Sequence, residues 1–130
     1  MITLPDFWMG RDEQYPLALT PDIRRNAITT VALANALMAV FGQSRKVNSG
    51  WRPPAVNAAT PNAAVMSKHM LGQAIDLADP EGELDDWLMG AAGLAQMEKL
   101  GLWHEHPAAT KGWAHLQTVP PRSGRRTFYP

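Results

Sequence analysis

Between residues 20 and 42 apolar side chains return at helical spacing, as Ile23, Ala27, Val31, Ala34, Met38 and Phe41, with polar residues between them. That period lines up one face of an amphipathic helix over residues 21–41. Thr20-Pro21-Asp22 marks its start: a side-chain cap, a proline suited to the first helical position and an acid at the positive helix end. Gly42 stops it. A second helix is expected over residues 83–100, with Leu84, Trp87, Leu88, Ala91, Leu94, Ala95, Met97 and Leu100 as its apolar face and Gly101 as its end. Three short segments read as strands: Lys46–Arg52, running into a Pro53-Pro54 turn, then Gln73–Leu77 and Trp113–Thr118. Residues 1–19, broken by Pro5, Gly10 and Pro16, read as irregular, and residues 55–66 as loop with at most one helical turn. Two main helices packed on a small, mostly antiparallel sheet predict an α+β fold.

Composition narrows the function classes. The length of 130 residues fits one domain, and a hydrophobic fraction of 45% supplies a core without staples. The formal net charge is zero, so no bulk field draws the chain to nucleic acid or an anionic membrane. Arg122, Arg125 and Arg126 cluster in the tail and read as a solvated surface rather than a nucleic-acid site. Cysteine is absent, so any zinc site must use His and carboxylates. Met1–Gly10 lacks the basic and apolar regions of a signal peptide, and no stretch is apolar enough for a membrane span. A substrate outside the cytoplasm would therefore require another route of delivery.

The chemistry concentrates in Ser67-Lys68-His69-Met70-Leu71-Gly72-Gln73-Ala74-Ile75-Asp76 and in His115, beside Trp113 on a later strand. Two imidazoles and a carboxylate make a three-ligand set that leaves tetrahedral zinc one open position for water, as catalytic sites require. Asp76, flanked by Ile75 and Leu77, needs a partner that a cation would supply. The same residues also read as two structural histidines and a turn or cap aspartate.

Ser67-x-His69-x-x-Gly72-x-Ala74-x-Asp76 followed by Trp113-x-His115 resembles the zinc D-Ala-D-Ala peptidase family (M15), which includes DD-carboxypeptidases, dipeptidases and phage L-alanyl-D-glutamate endolysins. Upstream, Ser49-Gly50-Trp51-Arg52-Pro53-Pro54-Ala55-Val56-Asn57 is similar to that family's arginine segment. The resemblance implies a hedgehog/DD-peptidase-like fold, zinc on His69, Asp76 and His115, and substrate contact through Arg52. It places Ser67 near the site, as a substrate group or as a cap of the turn. Trp51 and Trp113 flank the motif residues and are expected to wall the cleft. Trp87 is expected in the core, and Phe128 and Tyr129 to pack back on the domain.

The pattern departs from the family where many members carry an acidic general base, three residues before the last histidine; Gly112 stands there. Glu105 is the first substitute, delivered by a folded-back loop, with His106 second; His104 reads as a surface residue or an adventitious ligand. Gln117 stands where many relatives have an acid. The expected function is zinc-dependent hydrolysis of a peptide bond in peptidoglycan stem peptides or cross-links, by a monomer. The compact size resembles phage or prophage lysis proteins, made in the cytoplasm and acting at the periplasm or cell wall, released with a holin's help or carried by the virion. The alternative is a zinc-containing wall-binding or virion module without turnover. A metal-sensing regulator is disfavoured by the balanced charge.

Overall fold

The N-terminal stretch is the first departure from the expected pattern. In the computed structural model, which describes residues 1–130, it forms α1 (Leu4–Trp8), α2 (Arg11–Gln14) and a 3₁₀ turn at Pro16–Ala18. The physical reason is a reciprocal cap. Thr3 accepts from the Asp6 backbone N–H, and the Asp6 carboxylate accepts from that of Thr3. The helix buries Phe7 and Trp8. The Asn35 side chain exchanges two 2.8 Å hydrogen bonds with the Ile2 backbone, tying this segment to the long helix.

That long helix, α3 (Pro21–Phe41), has the expected bounds: Thr20 caps the Ile23 N–H and Gly42 ends it. The segment after it is shorter in strand and richer in helix than expected. β1 covers Val47–Ser49 and Pro54–Ala59 forms α4, because Pro54 occupies the first helical position, where its missing N–H costs nothing. β2 (Ala74–Ala78) follows a 3₁₀ turn at Lys68–Leu71.

The second expected helix is two. α5 (Glu83–Met89) and α6 (Ala91–Leu100) meet at Gly90, whose backbone is extended. The break re-aims the second half, so Ala91 and Ala95 are exposed while Leu84, Leu88 and Met97 are buried. Trp87 is half-buried against Phe41, with ring centroids 5.3 Å apart.

Residues 103–105, expected as loop, are strand β3 (Trp103–Glu105), followed by β4 (Trp113–Gln117) and β5 (Thr127–Phe128). The sheet order is β1-β2-β4-β3-β5, antiparallel except for the β3–β5 pair. Phe128 packs back on the domain as expected, buried and edge-on to His115 with ring centroids 6.3 Å apart, whereas Tyr129 stays 69% exposed. The α+β prediction holds, with six helices and five strands.

Alternation along the strands gives the sheet two unlike faces. Ile75, Leu77, Ala114 and Leu116 join one contiguous core with residues of α3, α5 and α6. The other face carries Asp76, His115, Gln117 and Glu105, because β2 and β4 pair Asp76 with His115, and β3 and β4 pair Trp103 with Gln117. No helix is long and apolar enough to cross a membrane.

Candidate metal centre

Asp76 and His115 are direct cross-strand partners, which brings their side chains together on one face. His69 arrives from the 3₁₀ turn beside them. Ser67 caps that turn by accepting from the His69 N–H at 3.2 Å, and the Arg52 N–H donates to the His69 carbonyl at 3.1 Å. The ligand atoms of His69, Asp76 and His115 all lie within 4.8 Å of one another, so the group could hold a metal ion. Asp76 Oδ1 is 3.2 Å from His69 Nε2 and 2.8 Å from His115 Nδ1.

The outer hydrogen bonds fix which nitrogen of each ring faces the centre. His69 Nδ1–H donates to the Gly50 carbonyl at 2.8 Å, leaving the Nε2 lone pair inward, buried and without a partner. Gly50 is required at that point: a Cβ there would fall 2.1 Å from the Phe7 carbonyl oxygen. Gln117 Nε2 donates to the Val119 carbonyl at 2.9 Å, which turns its Oε1 toward His115 Nε2 at 3.1 Å. His115 therefore donates from Nε2 and presents its Nδ1 lone pair to Asp76. With both rings neutral, two lone pairs and a carboxylate oxygen converge, an arrangement that calls for a cation or for a proton on His115 Nδ1, which then donates to Asp76 Oδ1 at 2.8 Å.

Without a metal the charges respond accordingly. Burial pushes the Asp76 carboxyl up, but the two imidazoles beside it, with His115 hydrogen-bonded at 2.8 Å, outweigh burial and hold the group well below the usual carboxylate range. Burial dominates at His69 and depresses its pKa, keeping the ring neutral. At His115 burial also acts downward, yet the hydrogen bond and charge of Asp76 leave the ring above the ordinary imidazole value. The trio in this state is an ionised carboxylate between a neutral imidazole and one that readily takes a proton.

Arg52 reaches the centre from outside. Its Nη2 lies 3.2 Å from Asp76 Oδ2, and its Nε donates to Ser49 Oγ at 2.9 Å. Glu105 comes in on β3 rather than on a folded-back loop, with Oε2 3.9 Å from His115 Nδ1. Burial raises its pKa. Trp113 shares the face of His115, two positions away, and is half-buried.

Other expected site residues lie elsewhere in the architecture. Trp51 is fully buried, donates to the Met70 carbonyl at 3.1 Å and packs edge-on against Trp8, so it supports the site from beneath and does not wall a cleft. His106 stacks on Tyr129 and accepts from the Ala108 N–H, away from the trio. His104 is not on the surface: it is fully buried on the core side, where Nε2 meets Asp85 Oδ1 at 2.6 Å. A cleft of about 580 Å³ lies among Ile2, Met9, Met38, Arg45 and Val47 and contains none of the trio.

The Gly112 backbone has φ of +96°, a region that strains any residue with a side chain, so an acidic base is poorly accommodated there. Arg11 was not singled out by the sequence pattern, since it falls in a stretch that reads as irregular. It donates from Nη1 to the Trp51 carbonyl at 2.8 Å. No model of a known protein family matches the chain, and no curated protein matches it either.

Proposed function

We propose that this protein is a zinc-dependent peptidase that cuts a peptide bond in peptidoglycan stem peptides or cross-links. The observation that carries the metal part is the convergence of two outward-tethered imidazoles and one carboxylate on a common point. The donor set suits zinc, because two nitrogens and one oxygen leave a fourth position free. Peptidoglycan as substrate is supported by the three motifs in order over residues 49–117 and their resemblance to the zinc D-Ala-D-Ala peptidases.

On this reading His69 Nε2, His115 Nδ1 and an Asp76 oxygen hold the ion. Zinc bound there would supply a Lewis acid and draw the pKa of water down toward neutrality. The remaining work falls to the chain's own groups. Arg52 holds Asp76 in place through Oδ2 and presents its remaining N–H groups to the substrate carbonyl or carboxylate. Glu105 takes a proton from the attacking water at its carboxylate and returns it to the leaving amine. Burial raises its pKa above the ordinary carboxylate value, the direction that makes a carboxylate a stronger base. Glu105 fills from β3 the role that the backbone at Gly112 denies to an acid.

The test is hydrolysis of purified peptidoglycan by the zinc-loaded protein, by the chelated protein, and by the His69→Ala and Glu105→Gln variants. Zinc-loaded wild type is expected to release peptide products, and chelation or His69→Ala to abolish them. Glu105→Gln should slow the reaction by about 10²–10⁴-fold, the usual share of a general base. Cleavage that survives metal removal and His69→Ala overturns the reading. A second reading, a zinc-containing wall-binding or virion module without turnover, draws on Gly112 and on the uncharged Gln117. Wall binding by wild type with no cleavage of any muropeptide would establish that reading instead.

A further inference from the structure

Arg11 is a half-buried cation that forms no ion pair within the chain. Its anchor is the carbonyl of Trp51, the residue immediately before Arg52. The Arg11 guanidinium is thus held at the backbone just before Arg52, whose own guanidinium bonds Ser49 and Asp76 of the trio. Burial disfavours the charge of both, and at Arg11 the neighbouring charge of Arg52 adds to the effect. Arg52 is partly neutralised by Asp76, whereas Arg11 has Nε and Nη2 free of any partner in the protein. Two like charges held close in a half-buried place cost free energy unless an anion joins them. A planar guanidinium with two free donors matches a carboxylate, which it can grip through parallel hydrogen bonds.

We propose that Arg11, with Arg52 beside it, forms a seat for a carboxylate of the substrate, and that Arg11 sets the preference for an acid over the corresponding amide. That the carboxylate belongs to a peptide rests on the peptidase reading; the seat itself rests on the pair of arginines. Two carboxylates could occupy it, the C-terminal one of a short peptide or an acidic side chain next to the cleaved bond. Arg11 is a specificity residue in this account. It does not touch the three metal-holding groups, and removing it should leave the metal affinity unchanged.

The experiment measures binding of three matched short peptides to zinc-loaded protein by calorimetry. One has a free C-terminus, one an amidated C-terminus, and one an amidated C-terminus with an acidic side chain. Wild type is expected to bind one acidic peptide at least about tenfold more tightly than the amide, the discrimination expected of a charge-assisted pair. Which acid wins identifies the carboxylate. Arg11→Gln should erase the preference while zinc affinity stays within about twofold of wild type, and Arg11→Lys should restore part of it. An equal affinity for all three peptides overturns the proposal, as does a preference that persists in Arg11→Gln. Should Arg11→Gln not fold, competition by acetate against the preferred peptide on wild type decides the matter: displacement supports the seat, and no displacement overturns it. Hydrolysis without an acid preference would overturn the seat alone. An acid preference without hydrolysis would overturn the peptidase reading alone.

Discussion

Gln117 carries no charge, yet its amide oxygen, 3.1 Å from His115 Nε2, favours the tautomer that leaves the Nδ1 beside Asp76 unprotonated. Replacing it with leucine keeps the bulk and removes the acceptor, so His115 can flip tautomer. Zinc affinity of Gln117→Leu should fall by about 10–100-fold, the usual effect of losing an outer hydrogen bond to a ligand. An unchanged affinity by calorimetry would refute this role. Acid should have a related effect, because ligand nitrogens must be unprotonated. His115 lies above the ordinary imidazole value, so protons compete with zinc there over the neutral range. The sign is fixed. A raised pKa stabilises the metal-free fold below about pH 6.5, and that contribution is lost as pH rises through the folded value. Zinc should therefore raise the melting temperature more at pH 8 than at pH 6, and an equal or smaller rise at pH 8 would contradict the assignment. At this scale the sequence reveals His69, Asp76, His115 and Arg52, because motif spacing survives in one dimension. It hides Arg11, whose relevance comes from a carbonyl contact 40 residues away. It misleads on Trp51 and His104, since nothing in their neighbours tells which side of the sheet they face.

Glu105 is delivered by a strand, and the strand is held by a buried pair. His104 points to the core side of β3, where Asp85 of α5 accepts or shares its Nε2 proton at 2.6 Å. Asp85→Ala leaves that nitrogen buried without a partner, which should destabilise the fold by about 1–3 kcal/mol. Denaturant unfolding measures it, and a variant as stable as wild type would show the pair to be dispensable. Gly50→Ala is expected to be more disruptive, because the added carbon meets the Phe7 backbone, which cannot move like a side chain. It should lower both the melting temperature and the zinc affinity, since the Gly50 carbonyl also holds His69. Loss of neither would refute the packing argument. Elements with strong periodicity and caps were legible here: α3 begins and ends where Thr20 and Gly42 place it. Short elements were not. β3 and β5 are two or three residues long and exist through pairing with distant partners. The α5–α6 break depends on one extended glycine inside an otherwise helical pattern.

At the scale of the whole molecule, the apolar core and the His69–Asp76–His115 trio occupy opposite faces of one small sheet. A ligand that binds only the folded arrangement stabilises the fold by mass action, by about 2.7 kcal/mol at a hundred times its dissociation constant. For a chain of 130 residues that is a clear upward shift of the melting temperature, reversed by chelator and absent from His69→Ala. The α+β class followed from two helical stripes and several short alternating segments. The face that carries the chemistry emerged only from the register, which pairs Asp76 with His115. The measurement that bears most directly on the central claim is anomalous scattering at the zinc edge from crystals of the zinc-loaded protein. It should show one ion per chain, with His69 Nε2 and His115 Nδ1 at about 2.0–2.1 Å and an Asp76 oxygen at about 2.0–2.2 Å. Zinc elsewhere on the surface, with these three side chains unligated, would contradict it.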